Sequence, residues 1–135
     1  DSGSQGGTIL SEDAKTCEAD PFCGVKSAKD PANATDFEKK HTPVIKAPDS
    51  VKTGEFFTVT VEVGKVVPHP NEPGHFIQWI ELYSGHTFIA RVDLTPVMSD
   101  AVVTIPVRLE HVHPLRAVAR CNLHGAWVGE KDLKA

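Results

Sequence analysis

The sequence predicts an all-β fold, an immunoglobulin-like β-sandwich that follows an irregular N-terminal arm. Three observations support this prediction. Short runs rich in valine and other β-branched or aromatic residues recur along the chain, apolar and polar residues alternate within them, and prolines fall mainly between them. Several short strands at regular spacing are typical of a sandwich.

The clearest strand is predicted over residues 55–63. There Val59 and Val61 face one side and Thr58 and Thr60 the other, which is the pattern of a half-buried strand. The other predicted strands cover residues 76–83, 87–93, 101–108 and 115–121, with short edge pieces at 44–46 and Val51. The short turn around Gly85 is predicted to join two of these strands into a hairpin.

The chain divides into a predicted arm, residues 1–36, and a predicted sandwich domain, residues 37–135. The arm carries three Lys and seven Asp or Glu, whereas the domain carries eleven residues of each sign. A domain without basic excess is not expected to bind nucleic acid. No run of 18 apolar residues occurs, so no membrane span is expected. The arm is expected to pack on a neighbouring molecule or on the domain.

Two of the three cysteines lie in the arm. Cys17 and Cys23 are predicted to form a disulfide, and free thiols or a metal shared between subunits are the alternatives. The sequence begins with Asp rather than Met, which leaves open whether a leader was removed. A disulfide suits an exported protein, so a periplasmic or other extracytoplasmic location is favoured over the cytoplasm.

Three stretches of sequence contain candidate metal ligands. The C-N-L-H-G stretch at residues 121–125 places Cys121 and His124 three apart at a strand end, where both can face one metal. His69 and His75 flank a loop that three prolines and a glycine stiffen. His41 follows a charged stretch at the junction with the arm. The ends of strands cluster in a sandwich, so these loops can converge. A buried cysteine and solvated histidines are the alternative reading.

Together these motifs resemble the superoxide reductase family, which comprises neelaredoxin and the catalytic domain of desulfoferrodoxin. The resemblance covers about residues 37–130. Four stretches carry it. They are K-H-T-P at 40–43, H-P at 69–70 with His75 six residues after His69, I-Q-W-I-E-L-Y at 77–83, and C-N-L-H-G at 121–125. The order of these stretches and their combination make the resemblance specific.

The resemblance implies one mononuclear non-haem iron that cycles between Fe2+ and Fe3+. The implied ligands are four equatorial histidines and an axial cysteine: His41, His69, His75, His124 and Cys121. The sixth position would be open to superoxide, which would be reduced by one electron to hydrogen peroxide. Ligand chemistry agrees, because imidazole suits Fe(II) and a thiolate opposite the open position donates electron density.

Lys40 and Glu38 are the candidate catalytic residues. A lysine directly precedes the first ligand histidine in the family, and Lys40 has that position here; its ammonium would attract superoxide and help deliver protons. The family normally has a glutamate before this lysine, which can cap the oxidised iron. Here Lys39 is in that position and Glu38 lies one residue upstream, so capping by Glu38 requires a flexible loop. A solvated charged turn is the alternative.

The resemblance also implies an external electron donor of the rubredoxin or cytochrome type, and a homo-oligomer is expected. Two other classes remain open: an electron-transfer metalloprotein such as a cupredoxin-like copper protein, and an accessory subunit of a larger redox assembly that retains the iron site. Against copper, Met98 is the only methionine and precedes Cys121, whereas blue-copper sites usually have a methionine after the cysteine.

Three histidines are expected to be surface or structural residues: His86, His111 and His113. Both tryptophans, Trp79 and Trp127, are expected in the core.

Overall fold

The computed structural model describes residues 21–135 and consists mainly of strands. The strands are β1 Val44–Lys46, β2 Phe56–Glu62, β3 Ile77–Ser84, β4 Thr87–Asp93, β5 Val102–Arg108, β6 Leu115–Cys121 and β7 Gly125–Lys131. They form a three-stranded sheet in the order β1-β2-β5 and a four-stranded sheet in the order β4-β3-β6-β7. All pairings are antiparallel. The predicted β-sandwich is confirmed.

Side chains from both sheets share one hydrophobic core. Val59 and Val61 of β2 are fully buried, as their alternation with threonines predicted. In β6, Leu115 and Ala117 are also fully buried, and Cys121 ends the same face as a buried, free thiol. The packing that holds the two sheets together therefore also fixes the position of this sulfur at one end of the sandwich.

Two elements differ from the sequence predictions. Strand β7 was not predicted; it pairs with β6 along its whole length, from Cys121 beside Gly125 to Leu115 beside Lys131. The stretch treated as a charged junction forms a short helix, α1 Asp36–His41. Its signal was present in the sequence as a capping box, in which Thr35 and Glu38 bond each other's backbone N–H groups.

The described part of the predicted arm packs on the four-stranded sheet. The backbone N–H of Lys26 donates to Ala126 and the N–H of Val128 donates to Lys26, both at 2.9 Å. The Phe22 ring meets Tyr83 edge-on, with ring centroids 4.9 Å apart. Packing of this segment on the domain was one of the two expected arrangements.

The predicted domain boundary after residue 36 falls inside α1, and it stays a prediction. Cys23 is disulfide-bonded, whereas the prediction for Cys17 lies outside the described residues. Among the helices of residues 21–135, none has the length and apolar composition that a membrane-crossing helix requires.

Candidate metal centre

Four histidine rings form a closed square at the end of the sandwich where β6 finishes. Neighbouring ring centroids are 4.9 Å apart for His41 and His69, 4.8 Å for His69 and His75, 5.2 Å for His75 and His124, and 5.0 Å for His124 and His41. Each ring meets the next at a steep angle of 68° to 79°. Loops that are distant in sequence thus bring four imidazoles around one centre.

The sulfur of Cys121 adjoins this square. It lies 3.7 Å from Nδ1 of His124, so His124 presents its Nδ1 atom to the cluster. The possible ligand atoms of His41, His75, Cys121 and His124 all lie within 4.8 Å of one another. His69 is outside that tightest group, although its ring neighbours those of His41 and His75. One metal ion can be reached by this set of donors.

Three ring nitrogens in the described chain are buried and have no hydrogen-bond partner: Nε2 of His41, His69 and His75. Buried polar atoms are nearly always paired, so three unpaired nitrogens on adjoining rings call for an explanation. A metal ion bound by imidazole lone pairs supplies one. The donor set of imidazoles and a thiolate fits iron.

Two of these histidines are oriented by backbone carbonyls. Nδ1 of His41 donates to the Phe37 carbonyl at 2.7 Å, and Nδ1 of His69 donates to the Pro70 carbonyl at 2.7 Å. A carbonyl only accepts hydrogen bonds, so Nδ1 must carry the proton in both rings. Nε2 is then a free lone pair, as metal ligation requires.

Burial disfavours protonation of three of the four imidazoles: His41, His69 and His124. Desolvation lowers the pKa of His41 from its usual value, and it lowers the pKa of His69 from 6.5 to about 4. The pKa of His124 is lowered too, first by burial and then by the nearby His75 and by Lys26 and Lys40. Since a metal binds the deprotonated ring, protons compete weakly for these ligands at neutral pH.

His41 is positioned by the short helix and by Trp127. It is the last residue of α1 and is fully buried. The Trp127 indole stacks on it with centroids 5.2 Å apart and planes 19° apart, and the indole Nε1 donates to the His124 carbonyl at 3.2 Å. A Cβ on Gly129 would collide with the carbonyl oxygen of Pro43, so glycine lets this segment approach β7. Trp127 was expected only as a core residue, and no sequence signal shows its contacts with two ligands.

The loop that carries His69 is fixed by more than its prolines. Gly64 has φ +76°, and a Cβ there would lie 2.7 Å from the His69 Cβ and 2.8 Å from its backbone nitrogen. The Asn71 amide accepts from the Val97 N–H at 2.7 Å and donates to the Ser99 carbonyl at 3.0 Å. The loop is therefore tied to the β4–β5 connection, a contact that sequence reasoning did not find.

Asn122 links the Cys121 turn to the His75 segment. Its side-chain oxygen accepts from the Phe76 N–H at 2.9 Å, and its side-chain nitrogen donates to the Gly74 carbonyl at 3.0 Å. These bonds hold the residues on both sides of His75 against the residue that follows Cys121. Within the C-N-L-H-G stretch, the asparagine thus has a positioning role that the spacing of cysteine and histidine does not reveal.

The two candidate catalytic residues occupy different surroundings. Both carboxylate oxygens of Glu38 accept backbone N–H groups, from Thr35 at 2.9 Å and from Lys29 at 3.2 Å, and these bonds lower its pKa. In this conformation Glu38 caps α1, so binding to iron would require release of the cap. Lys40 is half-buried, and its charge contributes, after burial, to the lowered pKa of His41 and His69.

The other three histidines of the chain are exposed and lie outside the square. His86 is in the turn between β3 and β4, and His111 and His113 precede β6. All three are thus at the opposite end of the four-stranded sheet from Cys121. This agrees with the expectation that they are surface residues.

Comparisons with known proteins agree with one another. The family model described as Desulfoferrodoxin matches residues 33–130. A candidate superoxide reductase of Methanocaldococcus jannaschii is 46% identical over 115 residues, covering 83% of this chain and 95% of the relative. The superoxide reductase of Pyrococcus horikoshii is 37% identical over 106 residues, covering 71% of this chain and 89% of the relative. A solved structure of the superoxide reductase (neelaredoxin) from Ignicoccus hospitalis is 42% identical in sequence. The match covers 70% of this chain and 80% of that chain, with a TM-score of 0.64.

Proposed function

Because this chain belongs to the desulfoferrodoxin family, we propose that it is a superoxide reductase, an oxidoreductase that reduces superoxide by one electron to hydrogen peroxide. The ligands in this proposal are His41, His69, His75, His124 and Cys121, and the metal is one mononuclear non-haem iron. The observation that carries the proposal is the set of three buried, unpaired Nε2 atoms of His41, His69 and His75, two of which belong to the group that includes the Cys121 sulfur.

The chemistry that the iron would supply when bound is a one-electron Fe2+/Fe3+ couple. The overall reaction takes one superoxide, one electron and two protons to one hydrogen peroxide. Cys121 is fully buried, so water does not reach the sulfur that would bind the iron. The neutral imidazoles add no charge of their own, which leaves the thiolate as the anionic ligand.

Lys40 is proposed to guide superoxide and to hold a proton near it. Superoxide is a small anion, and a fixed positive charge raises the local concentration of an anion and its rate of arrival. The charge of Lys40 acts on His41, His69 and His124, so it lies close to the ligand square. The same ammonium can donate a proton as peroxide forms. The proposed role of Glu38 is to exchange its helix cap for the oxidised iron.

An external donor of the rubredoxin or cytochrome type is proposed to return the oxidised centre to its reduced state, and a homo-oligomer is proposed as the assembly. The Phe37 ring contacts the rings of both His41 and His124, with centroids 4.6 Å and 5.0 Å away, and is 45% exposed. It offers a donor protein an apolar surface next to two ligands. Light scattering on the holoprotein tests the oligomer directly.

The decisive experiment mixes anaerobically reduced holoprotein with a pulse of superoxide. We expect one hydrogen peroxide per superoxide, no release of dioxygen, and loss of the reduced state. Metal analysis should find one iron per chain, and the oxidised protein should show a thiolate-to-iron absorption band. Dioxygen production would instead indicate dismutation, and one equivalent of copper would favour the electron-transfer alternative.

A further inference from the structure

Lys26 brings a positive charge to the metal centre from a segment that precedes the part of the chain matched by the family model, residues 33–130. Its Nζ atom donates a hydrogen bond to the backbone carbonyl of His124 at 3.0 Å. The two residues are 98 positions apart, so the contact depends on the docking of the N-terminal segment. Sequence reasoning did not single out this lysine.

Backbone hydrogen bonds to β7 fix the place where the Lys26 side chain begins. The backbone N–H and carbonyl of Lys26 bond Ala126 and Val128 of β7. The Lys26 side chain then passes over Gly125, which has no side chain of its own. A Cβ built on this glycine would lie 3.7 Å from Nζ and 3.9 Å from Cε of Lys26. The ammonium ends 5.7 Å from the centre of the Trp127 ring, within the range of a cation–π contact.

The His124 carbonyl receives two donors. The Trp127 indole N–H reaches it at 3.2 Å and the Lys26 ammonium at 3.0 Å. A carbonyl oxygen has two lone pairs, so both are used. The bond from the charged donor is the stronger type. The backbone of His124 is thus held while its Nδ1 faces the Cys121 sulfur.

We propose that Lys26 is a positioning residue of the metal centre, which clamps the His124 backbone and raises the reduction potential of the bound iron. This inference rests on the proposed function in so far as the metal is iron. A fixed cation disfavours Fe3+ more than Fe2+, because the repulsion grows with the charge of the ion. The N-terminal segment therefore belongs to the working centre and is more than a tether.

The test compares three variants of the full chain, each loaded with iron: Lys26→Met, Lys26→Arg and the control Lys52→Met. Methionine keeps the length of the side chain but removes its charge and its donors. Lys52 is exposed and precedes β2 at the end of the sandwich away from the ligands. The measurements are the midpoint potential by redox titration and the rate of iron release to a chelator, and neither requires superoxide.

For Lys26→Met we expect a lower midpoint potential than in the wild type. Because the contact is exposed, we expect iron release to be only about two- to fivefold faster. Lys26→Arg should keep the midpoint potential and the rate of iron release near those of the wild type, and Lys52→Met should change neither. A midpoint potential of Lys26→Met equal to that of Lys52→Met would overturn the proposal even if stability fell, since a purely structural contact changes stability alone. A Lys26→Arg protein that behaves like Lys26→Met would also overturn it. Failure to reduce superoxide would defeat the proposed function but would leave these two measurements interpretable.

Discussion

Both ends of this sandwich carry histidines, but among residues 21–135 only one end brings histidines together with a cysteine in an arrangement that could hold a metal. At one end four rings face a common centre, and at the other end His86, His111 and His113 are exposed. The difference lies in the surroundings of the rings. At the ligand end, carbonyls fix the Nδ1 protons of His41 and His69, burial lowers their pKa, and the opposite nitrogens are left unpaired. Desolvation and orientation, rather than the number of histidines, distinguish the site.

The largest expected effect comes from exchanging a single atom at the ligand end. Cys121→Ser replaces the buried thiol by a hydroxyl of similar shape. We expect iron affinity to fall by at least about 100-fold, since even outer partners of metal ligands contribute roughly 10- to 100-fold. The visible band of the oxidised protein should vanish, and reduction of superoxide should be lost with it. Iron content after dialysis and the absorption spectrum are the measurements.

The matched control for Cys121→Ser removes two histidines from the other end. His111→Ala with His113→Ala should retain iron, spectrum and activity at wild-type levels. An iron-free double variant would mean that the contrast between the two ends is wrong.

A pair of glycines gives the second test, one at each end. Gly64 and Gly54 both have positive φ, +76° and +79°. A Cβ on Gly64 would collide with His69, whereas a Cβ on Gly54 meets nothing within 4 Å. Gly54→Ala should therefore lower the free energy of unfolding by about 1 kcal/mol, through backbone strain alone. Gly64→Ala adds the collision, and we expect a total loss of about 2–4 kcal/mol.

Urea denaturation of both glycine variants provides the free energies, and metal analysis provides iron content. Only Gly64→Ala should also lose iron, because the collision displaces a ligand. Equal losses of stability with full iron content in both would show that Gly64 does not shape the site.

The third expectation concerns pH and the metal-free protein. The pKa of His69 is lowered to about 4, and the pKa values of His41 and His124 are lowered as well. The unfolded chain, with histidines near 6.5, therefore binds more protons than the folded chain between pH 6.5 and 4. Stability must fall as pH falls through this window, because the slope of stability against pH has the sign of that difference.

Urea melts of the metal-free protein at pH 7 and pH 5 test this direction. His69→Ala should reduce the dependence on pH, because it removes the histidine whose pKa is lowered to about 4. A stability that rises on acidification would contradict the lowered pKa values of the ligand histidines.

The strands of this fold could be predicted from sequence better than the parts that orient the ligands. Strands β4 and β6 have the predicted bounds, because alternation of apolar and polar residues is a local signal. Strand β7 was missed, since its hairpin turn is the C-N-L-H-G stretch itself, which was interpreted as a metal motif alone. Trp79 was wrongly expected in the core; it is half-buried, with the Arg91 guanidinium 4.6 Å from its ring centre.

The candidate ligands came from family resemblance and spacing, but their supports did not. The hydrogen bonds of Asn71 and the contact of Lys26 with His124 each join segments far apart in the chain. Such contacts depend on the packing of loops and leave no periodic pattern in the sequence. The helix α1 is different, because its capping box was readable in advance from Thr35 and Glu38.

The smallest expected effect separates the two contacts of Trp127. Trp127→Phe keeps an aromatic ring to stack on His41 but removes the N–H that bonds the His124 carbonyl. We expect a loss of about 1 kcal/mol in the free energy of unfolding, the usual value of one hydrogen bond. Activity should change little, because Lys26 still donates to the same carbonyl. Trp79→Phe is the matched control, and thermal or urea unfolding of both variants is the measurement. A Trp127→Phe protein as stable as the wild type would mean that the indole N–H contributes nothing measurable to stability, and that packing such as the stacking on His41 is the contribution of Trp127 to the ligand end.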